Sequence, residues 1–407
     1  MNSCLLISTS ILLITLMLVL KIPVWLIFLT TGLTMILITS SLNNTIAYLQ
    51  DLISDPNTWD LVSIMFLIAT LVNLYRRTGF VKVIGEELIY FIKKPVLTTI
   101  TIPAILGLLP VPGGAIMSAP IVDSIGSKIG LDYERKLFIN VWFRHVIFII
   151  YPLSSVLVLT SVLTGQNLWS IIIKQIPVAL LMLIIGYAIG FYRVNKNSYT
   201  FSLEKKSDTS LLVKVLTPLL STVILAIILS PIVDGKMSTL FTRLSLIIST
   251  TIGIALLMII SKTNLKTLLS TIQSKEVVEL VLIGFTSMFL RTILKHMELS
   301  GIQSCLPGFH PLLIIIGIPV IFSLIGGLVS SSIALSIPIV ASLMKIDLEI
   351  ASLTYLSAFM GYLVSPLHLC YVYSAQYYKV PVIKGYKYLL PSVVSTLVLT
   401  LIIYELF

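Results

Sequence analysis

Residues 95–122 read PVLTTITIPAILGLLPVPGGAIMSAPIV, an apolar stretch broken near its middle by Pro110, Pro112, Gly113 and Gly114. Proline removes a backbone donor and clashes with the preceding helical turn, and glycine adopts shapes that other residues resist. One straight helix is therefore excluded. About 14 residues flank the break on each side, and one crossing of a bilayer takes about 20. The stretch predicts a re-entrant helical hairpin with its tip at 110–114; two short tilted spans are the bland alternative. Residues 311–343 repeat the pattern, with Gly326-Gly327 at the break and Ser330-Ser331-Ser332 after it.

The two stretches sit in matching contexts. Gly114-Ala115-Ile116-Met117-Ser118-Ala119-Pro120-Ile121-Val122 aligns with Ser332-Ile333-Ala334-Leu335-Ser336-Ile337-Pro338-Ile339-Val340. Downstream, Asp132-Tyr133-Glu134 matches Asp347-Leu348-Glu349, and Tyr151-Pro152-Leu153-Ser154 matches Ser365-Pro366-Leu367-His368. Three matches in one order, at a nearly constant offset, read as an internal repeat. Residues 1–210 form the first repeat and 211–407 the second. If the hairpins do not cross, each repeat crosses the bilayer an odd number of times, which turns the second upside down relative to the first.

The rest of the chain fits a lipid environment. It has 407 residues, 57% hydrophobic and only 11% charged, against about 25% charged in a soluble domain. Spans are expected near 4–20, 22–39, 60–75, 137–164, 169–191, 211–231, 243–261, 276–294, 349–378 and 388–406. The expected fold is an all-α polytopic membrane protein with about ten spanning helices, two re-entrant hairpins and two inverted-topology repeats. The segment 80–94 is amphipathic and too charged to span, so it predicts an interfacial helix. The net charge of +10 lies in short loops between apolar runs, without the aromatic interleaving of a nucleic-acid surface. Lys and Arg cluster in the connections after 75, 192, 261 and 378, and the loop 40–59 has none. That bias predicts a plasma-membrane protein with both termini outside. Cys4, Cys305 and Cys370 are widely spaced, with neither a disulfide framework nor a metal-ligand spacing.

Hairpin tips at membrane depth expose N–H and C=O groups that lipid cannot satisfy, so they must line a protein cavity or water. The half-helix starting at Gly114-Ala115, and its counterpart at Ser331-Ser332, present free N–H groups suited to an anion. The spans after the hairpins are broken at Pro152 and Pro366, which frees carbonyls that, with Ser154, Ser155, His368 and Ser374, would face the hairpin tips. Candidate binding residues are thus Pro112, Gly113, Gly114, Ala115, Ser118, Asn140, Arg144, His145, Ser154, Ser155, Ser330, Ser331, Ser332, Ser336, Pro366 and His368. Arg144 either holds a carboxylate or phosphate bidentately or snorkels from a span end. His145 and His368 either carry protons or pack as hydrogen-bonded core residues. Few carboxylates fall within spans, so a proton relay fits poorly. A sodium site of carbonyls and hydroxyls at the tips fits better, and no other cofactor is expected. No phosphate-binding loop, H-E-x-x-H or G-x-S-x-G motif occurs.

LPVPGGAIMSAPIVDSIG (109–126), followed by YERKLFINVWFRH (133–145), resembles the prokaryotic membrane family called domain of unknown function 401. The layout is similar to the ion transporter superfamily, which includes gluconate permeases, citrate symporters and divalent anion–sodium symporters. The Ser-Asn-Thr tip motif of the last group is absent here. The resemblance implies a scaffold (about 1–94 and 211–310), a mobile transport part (about 95–191 and 311–407), elevator movement and a homodimer. The expected function is secondary transport of a small organic anion coupled to sodium or protons. A passive channel is the first alternative, and an intramembrane enzyme around His145 or His368 the second.

Overall fold

The computed structural model describes residues 9, 12–17, 19–39, 42–92, 94–108, 114–194, 208–234, 243–296 and 310–406. Among these residues every regular element is a helix. The first half contains α1 (Val24–Thr39), α2 (Leu42–Ser54), α3 (Pro56–Arg77), α4 (Phe80–Ile92), α5 (Pro95–Gly107), α6 (Ala115–Lys128), α7 (Tyr133–Val146), α8 (Ser155–Thr164) and α9 (Leu168–Gly190). The second contains α10 (Thr209–Val233), α11 (Leu244–Ser261), α12 (Leu265–Ile272), α13 (Lys275–His296), α14 (Pro311–Gly326), α15 (Val329–Leu343), α16 (Leu348–Leu363), α17 (Leu369–Tyr378) and α18 (Val382–Leu406).

Among the described residues six helices are long and apolar enough to cross a bilayer: α3, α9, α10, α11, α13 and most of α18. They fall on six of the expected spans. The expected spans 137–164 and 349–378 are each two shorter helices joined by a break. Span 22–39 contains the 16-residue α1, and most of 4–20 lies outside the described residues. The amphipathic segment 80–94 does form a helix, α4. Helix α2 was not expected; it occupies the loop read as a plain connection.

Local chemistry sets the boundaries. Asp132 is extended and its carboxylate accepts from the Arg135 amide at 2.7 Å, capping α7. Asp347 caps α16 in the same way, through the Ile350 amide at 2.8 Å. The repeated Asp-x-Glu motif is therefore a pair of helix starts, each cap worth about 1 kcal/mol. After α7, a 3₁₀ turn at Ile147–Ile149 leads into Pro152, and Ser154 caps α8 through the Leu157 amide at 3.4 Å. Gly165 ends α8 at a φ of +71°, the left-handed region glycine tolerates.

Helices α5 and α6 pack on each other, as do α14 and α15. At 13–16 residues each and 1.5 Å per residue, they reach about 20–24 Å, short of the roughly 30 Å hydrocarbon core. The packing partners exchange between halves. Helix α6 packs on α17 and α15 on α8; α9 packs on α16 and α18 on α7; α1 packs on α13 and α11 on α3.

Helix α9 serves as a ruler for direction. Near its start, Lys174 Nζ donates to Glu349 at 2.8 Å, beside the first turn of α16. Just past its end, the Tyr192 carbonyl accepts from Arg135 Nη1 at 2.7 Å, beside the first turn of α7. Residues 174 and 192 are about 27 Å apart along a helix. The matching helices α7 and α16 therefore begin at opposite ends of the bundle.

Close packing relies on glycine at two of these contacts. A Cβ on Gly361 in α16 would lie 2.5 Å from the Val320 carbonyl oxygen of α14, and one on Gly107 would strike the Arg144 carbonyl. Gly361→Ala should therefore force α14 and α16 apart and cost about 1–3 kcal/mol. Its melting temperature in detergent should fall by several degrees. Gly317→Ala, where a Cβ meets nothing within 4 Å, should leave it unchanged or slightly raised; equal melting of both variants would contradict the contact.

Candidate functional site

The broken helices meet inside the bundle. The last turn of α7 carries Arg144 and His145, both buried. The break after α16 carries Ser365 and His368, also buried. The His145 and His368 rings lie 4.8 Å apart, edge to face. The Tyr362 ring lies closer still to His368, tilted at 41° with 4.0 Å between centroids. Counted from the helix starts, both breaks lie about 16–24 Å in from opposite ends, so they share the middle of the bundle.

A cavity of about 170 Å³ opens at this junction. Arg144, His145 and Phe148 form one wall, and Ser154 and Ser155 at the start of α8 form another. Gly327, Leu328, Val329 and Ser330, the tip of the second hairpin, close it, with Tyr355, Phe359, Tyr362 and Cys370 around the rim. The lining is mainly apolar, with a few convergent polar groups and one guanidinium, the usual make-up of a small-molecule site. Arg144 lies in the cavity wall, 1% exposed.

The other candidates fall into distinct places. Pro112 and Gly113 lie outside the described residues. Gly114 is the cap of α6, with no side-chain hydrogen bond. Asn140 fastens the hairpin to the broken helices: its Nδ2 donates to the Ala115 carbonyl at 2.8 Å and to Ser374 Oγ at 3.0 Å. Its Oδ1 accepts from Ser118 Oγ at 2.6 Å. Tyr378 Oη adds a bond to the Ala119 carbonyl at 2.9 Å. Ser331 donates to the Leu328 carbonyl at 2.9 Å, and Ser332 to the Pro319 carbonyl at 2.7 Å. These two serines tie the second hairpin to itself. Helix α15 starts at Val329, two residues before the Ser331-Ser332 start expected from sequence, because its first turn follows directly from the Gly327 bend. Ser336 is buried with no hydrogen-bond partner for its hydroxyl. Pro366 is exposed and faces a second crevice, with Lys21, Trp25 and Glu279.

One residue of the region escaped the sequence reading. Cys370 reaches His145 and the backbone of Ala115. It lies on α17 shortly after the Pro366 break, and its spacing from residues 115–145 carries no signal until the chain is folded. Ser374, expected near the hairpin tips, completes the Asn140 bridge. Around the start of α7, Lys136 Nζ sits 2.8 Å from Asp123, and Arg135 3.5 Å from Asp132.

This architecture is that of a polytopic helical membrane protein with a transporter fold. The crystal structure of the Alcanivorax borkumensis YdaH transporter, reported for an unusual topology, is similar to it with a TM-score of 0.62. The likeness covers 89% of this chain and 88% of that one at 11% sequence identity. The chain belongs to the family described as Protein of unknown function (DUF401), whose profile matches residues 1–407. No curated protein matches the sequence.

Replacing Asn140 by Leu would remove three hydrogen bonds from a buried junction and strand the Ser374 hydroxyl. A loss of about 1–3 kcal/mol is expected, read as a lower unfolding midpoint in detergent. Ser374→Ala should cost less. An Asn140→Leu protein as stable as the parent would show that the bridge does not hold the hairpin.

Proposed function

We propose that this protein is a secondary active transporter of a small organic anion, driven by a sodium or proton gradient across the plasma membrane. The observation that carries the reading is the meeting, at one cavity, of a hairpin tip and two broken helices that start from opposite ends of the bundle. Half-helices ending mid-membrane give fixed dipoles and free backbone groups at the depth where a carrier holds its substrate. The opposite starts of α7 and α16, the exchanged packing partners and the matched Asp caps support an inverted repeat. The likeness to YdaH, a transporter, supports the same class.

In this reading Arg144 supplies the charge that selects an anion. Guanidinium donors pair with both oxygens of a carboxylate, a stronger interaction than a neutral hydrogen bond. Ser154, Ser155 and Ser330 offer hydroxyls around it. Sodium, as the coupling ion, would use carbonyls and hydroxyls at the hairpin tips, which suit a small hard cation.

Alternating access follows from the division of the chain. Segments 95–191 and 311–407 form the mobile part, and 1–94 and 211–310 the scaffold, here read as the fixed half of a homodimer moving by an elevator mechanism. Contacts between the two parts are sparse and polar at one point. Arg243, ahead of α11, binds Asp60 of α3 at 3.3 Å and the Ser161 hydroxyl of α8 at 3.1 Å. The ion-transporter-superfamily affinity belongs to the same proposal.

Purified protein in vesicles should accumulate a hydroxy acid or carboxylic acid when an inward sodium or proton gradient is imposed. Arg144→Gln should cut that uptake about tenfold or more, the worth of one charge-assisted bond, with Arg144→Lys intermediate. No uptake above empty vesicles from a broad anion panel, under either gradient, would overturn the assignment. Gradient-independent currents far above carrier rates would favour the channel alternative.

A further inference from the structure

We propose that His145, His368 and Cys370 form a binding site for a thiophilic d¹⁰ cation of the Zn²⁺ class, with its open coordination position facing the cavity. This goes beyond the transport reading and stands whether or not an organic anion is carried.

The three ligand atoms lie within 4.8 Å of one another, and all three residues are buried. A tetrahedral Zn²⁺ with Zn–N near 2.0–2.1 Å and Zn–S near 2.3 Å holds its ligands about 3.4–3.7 Å apart. Closing that gap takes a shift of about 1 Å, within reach of side-chain rotation at a helix break.

The tautomers are arranged for it. His145 Nδ1 lies 2.6 Å from the Val141 carbonyl and must carry its proton toward that oxygen. That leaves the Nε2 lone pair for a cation, and the Cys370 thiol is within hydrogen-bonding reach of the same ring. His368 Nδ1 points at the Leu363 carbonyl at 3.5 Å, and its Nε2 is buried with no hydrogen-bond partner. Orienting a histidine ligand through a backbone carbonyl is the usual outer-shell device in metal sites. An orphaned, fully buried imidazole nitrogen costs stability unless something fills it, and two imidazoles with one thiol select a soft or borderline cation over sodium or magnesium.

Binding is a ligand exchange. Zn²⁺ sheds water, the two imidazole lone pairs and the sulfur form bonds to it, and the thiol proton leaves to solvent. Three protein ligands leave a fourth position, the pattern of open rather than closed zinc sites. His145 and Cys370 both line the cavity, so that position takes water or a ligand's carboxylate. A bound ion would also staple α7 to α17 and hold the two broken helices together.

The test uses full-length protein in detergent, with Cys4→Ser and Cys305→Ser as the reference background. Titration with Co²⁺ should give one ion per chain, thiolate-to-cobalt charge-transfer absorption and the visible bands of tetrahedral cobalt. Zn²⁺ should displace it and raise the melting temperature. Cys370→Ser should abolish the charge-transfer band, and His368→Gln should weaken Zn²⁺ binding at least about tenfold. Binding that is unchanged in the Cys370→Ser, His368→Gln double variant would overturn the site, since it would then be adventitious. Should a variant fail to fold, the reference protein decides. A cobalt spectrum without a thiolate band, or no stoichiometric binding at all, overturns the proposal.

Discussion

A peptide group stranded in hydrocarbon costs several kcal/mol, and that constraint shapes the centre of this molecule. Four helices, α5, α6, α14 and α15, reach only about 20–24 Å, and α7 and α16 end inside the bundle. Their terminal N–H and C=O groups have no intrahelical partner. The fold answers by burying these ends against one another. Ser365 takes up the Leu324 carbonyl in the last turn of α14, at 2.7 Å, while Asn140, Tyr378 and Ser332 add second bonds to the Ala115, Ala119 and Pro319 carbonyls within helices. Each bond crosses between elements and so fixes the relative placement of the paired short helices and the broken ones.

Such bonding needs backbones to approach closely, and glycine permits it. Gly107 faces the Arg144 carbonyl, Gly327 bends over Leu367 at a φ of +62°, and Gly361 meets Val320. Arg144 is thereby held in a wall built from main chain, with little room to swing to the surface. A charge fixed at this depth is costly and is retained where it meets a ligand or a partner. The cavity beside it is where chemistry can occur, whether the occupant is an anion, a metal ion or both.

Much of the fold could be read from the chain because its breaks are local. Pro152 and Pro366 fall where helices stop, although Pro177, Pro218 and Pro391 sit inside helices that continue; Gly326-Gly327 forms a bend, and an Asp three residues before an exposed amide caps a helix. Those signals located the Gly327 bend between α14 and α15 and the paired broken helices. Long, uniformly apolar helices such as α9 and α10 followed from length alone. The starts of weakly marked helices did not: α15 begins at Val329, ahead of the serines that looked like its cap, because the Gly327 bend sets its first turn. The site was legible in part. Arg144, His145 and His368 stood out as ionisable residues in apolar runs. Cys370 did not, since a thiol on an apolar helix is ordinary until the fold sets it against residues more than 200 positions away.

The central claim is that corresponding segments of the two halves face opposite sides of the membrane. Single cysteines at Lys128, ahead of α7, and at Lys345, ahead of α16, test it most directly in a background with Cys4, Cys305 and Cys370 replaced by Ser; both positions are exposed in the structure. With an impermeant maleimide applied to intact cells and then to inverted vesicles, the account predicts labelling of one position from each side. Labelling of both from the same side would contradict it.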